Sequence, residues 1–123
     1  MTTSVVIDGA RTPIGKMLGA FASLSGVDLG AVAIKGALER AGVGADQVDA
    51  VIFGQVYQAG AGPNPARQAA MNAGIPAHAT AFGINQLCGS GLRAALDVGV
   101  HALRGRKIAH ARKHHLGGFG RQF

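Results

Sequence analysis

One helix in this sequence is fenced at both ends, and it constrains what its neighbours can be. Asn64 suits an N-cap, Pro65 the first helical position and Gly74 the C′ position, and Pro76 follows as a stop. The flexible loop Ala59-Gly60-Ala61-Gly62-Pro63 leads into it. Residues 48–56 before the loop contain a strand centred on Val51-Ile52-Phe53. Residues 79–87 after the helix read as another, weakened at Gly83. A strand, a helix and a strand in this order favour parallel pairing through a crossover connection.

The flanking sequence extends the alternation. Residues 4–7, with Val5, Val6 and Ile7 adjacent and β-branched, read as a short buried strand. It runs into the loop Asp8-Gly9-Ala10-Arg11-Thr12-Pro13-Ile14-Gly15-Lys16, and the signal stays irregular to Gly26. Asp28 then reads as the N-cap of a helix over 29–41, with an apolar surface of Leu29, Val32, Ala33, Ala37, Leu38 and Ala41. Lys35 and Glu39 can pair on its wet side, and Gly42 takes the C′ position. Cys88-Gly89-Ser90-Gly91 is a tight turn before an apolar helix over 92–103. The order β-α-β-α-β-α places the chain in the α/β class, as a layered fold with largely parallel pairing.

The charge narrows the function classes. The net charge is +6, but residues 1–100 carry six basic and six acidic residues and sum to zero. The excess therefore lies in residues 101–123, which hold Arg104, Arg106, Lys107, Arg112, Lys113 and Arg121, no acid, and four of the five His. A basic, His-rich tail (106–123) is thus set apart from a partial domain (1–105). Such a tail binds nucleic acid nonspecifically as any polycation does, with no aromatic interleaving beyond Phe119 and Phe123 to make it specific. Residues 106–115 lack both strand alternation and a helical stripe. A lone cysteine forms no internal disulfide, no apolar run approaches the ~20 residues of a membrane span, and the polar N-terminus does not fit a signal peptide. The cytoplasm is the expected location.

Cys88 carries the chemistry. A cysteine between a strand and a helix projects its sulfur outward beside the helix N-terminal N–H groups. Gly89 and Gly91 let the backbone turn sharply, and the same N–H groups can stabilise an oxyanion. The position equally suits a small buried residue filling a strand–helix corner. A helix terminus contributes about 0.3–1 kcal/mol to a nearby anion. It cannot supply proton transfers, so a positioned base must come from elsewhere.

The run Asn85-Gln86-Leu87-Cys88-Gly89-Ser90-Gly91-Leu92-Arg93-Ala94-Ala95 resembles the active-site segment of the thiolases, in particular the biosynthetic acetyl-CoA acetyltransferases. Three further stretches resemble that family in order and spacing: Asp8-Gly9-Ala10-Arg11-Thr12-Pro13-Ile14-Gly15, Phe53-Gly54-Gln55-Val56 and Gly62-Pro63-Asn64-Pro65-Ala66-Arg67-Gln68-Ala69-Ala70. The likeness covers roughly residues 4–105, the first quarter to third of a thiolase. It implies part of a mixed, five-stranded sheet flanked by helices, with the first strand inside it. It also implies that Cys88 attacks an acyl-CoA thioester and holds the acyl group. A second acyl-CoA would then take that group by Claisen condensation, or CoA would take it in thiolysis of a 3-oxoacyl-CoA. No cofactor is implied beyond the coenzyme A thioester, acetyl-CoA included, as substrate. Arg67 and Gln68 fall in the family segment bordering the active site and the subunit interface, although a solvated helix face explains them equally well.

The family's remaining machinery is a His in Gly-His-Pro, a second Cys in Cys-x-Gly and an Asn-Glu-Ala-Phe-like segment, and none occurs in this sequence. The departure begins near Lys107, where a thiolase continues into a buried strand. The alternative reading is therefore a catalytically inactive fragment or interaction module. A tail unable to form that strand leaves a sheet edge and a helix face uncovered, so a soluble form is expected as a homo-oligomer or with a complementary chain. His78 is read as exposed. His110, His114 and His115 are read as part of a polar tail, since the adjacent pair lacks metal-ligand spacing, and no metal is expected.

Overall fold

The computed structural model describes residues 4–102 and 108–112, the latter through its backbone alone. In chain order the elements are α1 (Gly26–Ala41), a 3-10 turn (Ala45–Gln47), β1 (Ala50–Gly54), α2 (Pro65–Asn72), β2 (Thr80–Ile84), α3 (Ser90–Ala102) and β3 (Ile108–Arg112). The strands form one sheet in the order β2-β1-β3, and both pairings are parallel. Ile52 of β1 stands opposite Phe82 of β2, which fixes the register.

β1 is buried along its whole length, as a central parallel strand with helices on both faces must be. Val51 and Phe53 face a core shared with Val27, Ala31 and Ile34 of α1 and Ala66, Ala69 and Ala70 of α2. Ile52 points the other way by strand alternation. α3 packs against β1 and β3 with Ala94 fully buried. Small residues bring these layers close. A Cβ on Gly30 would sit 2.7 Å from the Phe53 ring and 3.3 Å from Ala69 Cβ, so the glycine is what lets α1 reach both neighbours.

The punctuated helix forms as its sequence requires: Asn64 accepts from the Arg67 N–H, Pro65 starts α2, and Gly74 lies at φ +88°. Gly42 closes α1 in the left-handed conformation. Three expectations change. Residues 4–7 form no strand, and Val5, Val6 and Ile7 are 73%, 94% and 69% exposed. A three-residue β-branched run becomes a strand only where a sheet edge pairs with it, and none of the described strands pairs with residues 4–7. The described order is therefore α-β-α-β-α-β. Second, β3 lies in the segment without strand alternation, and its backbone pairs in parallel with β1. The described strands are all parallel, as the largely parallel pairing expected of this part of the sheet has it. Third, α1 begins earlier than Asp28 and buries Val27, Gly30, Ala31 and Ile34, while Val32 is 59% exposed.

That early start has a local cause. Ser25 is the N-cap: its Oγ accepts from the Asp28 N–H at 3.1 Å, while Asp28 Oδ2 accepts from the Ser25 hydroxyl at 2.6 Å and the Ser25 N–H at 2.8 Å. The Ser25 hydroxyl, and then its backbone N–H, hold the Asp28 carboxyl below the usual carboxylate range. Ser25→Ala is expected to cost about 1 kcal/mol in chemical denaturation at neutral pH. A lowered folded-state value means that Asp28 contributes stability above its unfolded pKa of about 3.9 and loses it as pH falls through the folded value. The gap between parent and variant should thus hold steady at neutral pH and narrow below about pH 4. A gap independent of pH would remove Asp28 from the cap.

Candidate active site

The carboxyl ends of β1 and β2 meet the start of α3, and Cys88 stands exposed in the turn between β2 and α3. In an open parallel sheet this is where ligands bind. The turn is tied down on every side except that of the thiol. Gln55 N–H donates to Ile84 O at 3.0 Å, extending the β1–β2 ladder by one bond. Asn85 Nδ2 donates to Val56 O at 2.7 Å, and Asn85 Oδ1 accepts from Leu87 N–H at 3.0 Å. Ser90, only 2% exposed, accepts from Gln86 N–H at 2.9 Å and donates its hydroxyl proton to Leu87 O at 2.7 Å.

Leu87, immediately before Cys88, lies at φ +50°, a conformation that non-glycine residues seldom adopt. Beneath the turn, Gly54 ends β1 directly against α3. A Cβ at residue 54 would stand 2.5 Å from both Gly91 N and Ser90 C. The glycine therefore sets how closely the start of α3 approaches the sheet.

The backbone donors divide into two groups. Gly89 N–H is engaged by Gln86 O at 3.0 Å, and Ser90 N–H by Leu87 O at 3.0 Å. The first helical bond of α3 runs from Arg93 N–H to Gly89 O at 2.9 Å. Cys88 and Gly91 N–H carry no hydrogen bond among the described residues. Of the two, Gly91 N lies beneath the turn against Gly54, and the Cys88 thiol likewise has no hydrogen-bond partner among the described residues.

Arg67 and Gln68 act on loops. Arg67 Nη1 donates to Ala79 O at 2.6 Å and Nη2 to Ala77 O at 2.7 Å, clamping the segment before β2. Gln68 Nε2 donates to Ala61 O at 3.1 Å and Pro63 O at 2.7 Å, clamping the loop before α2. Arg67→Ala is expected to destabilise the fold by about 2 kcal/mol, because the part-buried Ala79 carbonyl and the exposed Ala77 carbonyl both lose a charged donor. Arg67→Lys should recover little of this, since an ammonium cannot reproduce the fork. Recovery of full stability by lysine in urea unfolding would show that only the charge matters.

His78 is exposed. Only the backbone of His110 is described, and His114 and His115 lie outside the described residues. Among the described residues no group of three His, Cys, Asp or Glu is placed to hold a metal, and no helix is long and apolar enough to cross a membrane. An open cleft of about 280 Å³ is lined by Gln58, Gly62, Asn64, Pro65, Phe82 and Gly83, and Cys88 is not part of its lining. Sequence reasoning passed over Asn85, Ser90 and Gly54 as supports of the turn. Only Gly54 gave a readable sign, as a glycine in a strand where another backbone passes close.

Comparison with known proteins bears on the family and the fold. The family model of the thiolase N-terminal domain matches residues 4–106. An acetyl-CoA acetyltransferase of Shinella zoogloeoides is 61% identical over 93 residues, 76% of this chain and 24% of that protein. A probable acetyl-CoA acetyltransferase of Mycobacterium tuberculosis is 57% identical over 94 residues, again 76% of this chain and 24% of the relative. The acetyl-CoA acetyltransferase structure from Syntrophomonas wolfei superposes with a TM-score of 0.78 at 37% identity, over 82% of this chain and 25% of its own. A thiolase from Ascaris suum, solved in complex with coenzyme A, gives 0.79 at 33% identity, over 82% of this chain and 26% of its own. The chain thus spans about a quarter of the length of the relatives it matches.

Proposed function

The chain belongs to the thiolase family through that family's N-terminal domain, and from this premise we propose that Cys88 accepts the acyl group of an acyl-CoA thioester such as acetyl-CoA. The observation that carries the proposal is the exposed Cys88 thiol in the turn before α3, whose own backbone N–H carries no hydrogen bond among the described residues. The Cys88 sulfur, as thiolate, forms a bond to the thioester carbonyl carbon. The carbonyl oxygen gains charge that the Cys88 N–H can receive. The C–S bond to CoA then breaks, and the departing CoA thiolate takes up a proton in place of the one Cys88 released. The result is an S-acyl cysteine and free CoA.

Two continuations follow from the same intermediate. CoA attacks it in thiolysis, or a second acyl-CoA, deprotonated at its α-carbon, attacks it in Claisen condensation. The second route needs a base at the α-carbon. Cys88 is the only cysteine in the sequence, and no His, Asp, Glu or Lys is bonded to its thiol among the described residues. The proposal for this chain is therefore the acylation half of the reaction, with the carbanion step dependent on groups outside the described residues.

Mixing the chain with acetoacetyl-CoA and CoA tests this division. The expected outcome is at most one acyl group per chain, on Cys88, with no continuing loss of acetoacetyl-CoA. Continuing turnover that Cys88→Ser abolishes would place the whole catalytic set within this chain and overturn the restriction to one half-reaction.

A further inference from the structure

Resting on the reading of Cys88 as acyl acceptor, we propose that Asn85 and Ser90 are positioning residues that bracket Leu87 and thereby aim the Cys88 thiol. Leu87 holds a left-handed conformation at φ +50° without help from packing, because its side chain is 66% exposed. What holds it is polar. Its N–H is taken by Asn85 Oδ1 at 3.0 Å, and its carbonyl oxygen by the Ser90 hydroxyl at 2.7 Å and the Ser90 N–H at 3.0 Å. Both brackets are anchored in the sheet: Asn85 through Nδ2 to Val56 O at 2.7 Å, and Ser90 through its burial against Gly54. The backbone of Cys88 follows directly from that of Leu87. The direction of its N–H and of its Cα–Cβ bond, from which the thiol projects, is thus set by two side chains. A leucine released from the bracket returns to the extended or right-handed regions. The thiol then stays exposed and reactive, but it no longer meets a carbonyl in line with the Cys88 N–H.

This separates two reactivities of one sulfur. Alkylation by iodoacetamide asks only for an accessible thiol. Acylation by p-nitrophenyl acetate also asks for donors aligned on the carbonyl oxygen, and it needs no recognition of coenzyme A. Asn85→Ala and Ser90→Ala are each expected to lower the ester rate roughly tenfold or more, since small misplacements are costly in acyl transfer, while the iodoacetamide rate changes less than about twofold. Amide exchange should quicken at Leu87 in Asn85→Ala and at Gln86 in Ser90→Ala, with the amide of Ile52 unchanged. Because glycine accepts the left-handed conformation freely, Leu87→Gly added to Ser90→Ala should restore part of the ester rate.

Asn85 is exposed, so its variant decides the matter if Ser90→Ala does not fold. An unchanged ratio of ester to iodoacetamide rates in folded Asn85→Ala overturns the positioning role, and so does a parent chain that p-nitrophenyl acetate fails to acylate. A parent that takes the group from p-nitrophenyl acetate but not from acetyl-CoA overturns the CoA reading and leaves the bracket to be judged on its own rates.

Discussion

Gly54→Ala is expected to drive the end of β1 away from the start of α3. The methyl group would lie 2.5 Å from Gly91 N and from Ser90 C, and both obstacles are backbone, so neither can step aside by a rotamer change. Overpacking of a core costs typically about 1–3 kcal/mol, and a backbone obstacle puts this site at the upper end. For a domain of this size that corresponds to a fall in the unfolding midpoint of roughly 10 °C or more. Gly83→Ala on β2 is the matched control, because there the nearest atoms to an added Cβ are Gln58 Nε2 at 3.7 Å and Phe53 O at 4.0 Å. Thermal unfolding of both should show Gly54→Ala badly weakened and Gly83→Ala within about 0.5 kcal/mol of the parent. Equal midpoints would mean that the approach of α3 to β1 is not tight. The substitution should also impair ester acylation of Cys88, since α3 carries the turn with it.

Cys88→Ser has the opposite profile. The residue is exposed and makes no hydrogen bond through its side chain among the described residues, so stability should change by less than about 0.5 kcal/mol. Acyl uptake from a thioester should fall by on the order of 10²-fold or more, because a hydroxyl without a positioned base lacks what general base catalysis supplies. A serine variant that takes up acyl groups at the parent rate would move the nucleophile to another residue.

Much of this framework is legible in the residues, and the failures share a cause. α2 is readable because each of its limits is local: the Asn64 side chain caps it, Pro65 opens it, and Gly74 closes it at positive φ. β1 is readable because a central strand of a parallel sheet is apolar throughout. Residues 4–7 and β3 are misjudged because pairing is decided at a distance. The same β-branched composition that suits a strand leaves Val5–Ile7 exposed where no described strand pairs with them. The start of α1 after its N-cap Ser25 turns on a choice between two capping residues three positions apart that use each other, Ser25 and Asp28.

The candidate site divides along the same line. Cys88 is found from its place before a helix and from its neighbours in the motif. Asn85 and Ser90 are not, because their roles depend on where Leu87 and Val56 lie in space. Arg67 and Gln68 gave a polar pattern on one helix, and only the structure shows which carbonyls they hold.

The most direct test of the central claim is the intact mass of the folded chain after incubation with acetyl-CoA, followed by peptide mapping. The account predicts a gain of one acetyl group, located on Cys88, absent from Cys88→Ser and removed when excess CoA is added. A folded chain that gains no mass, or one whose gain persists in Cys88→Ser, contradicts it.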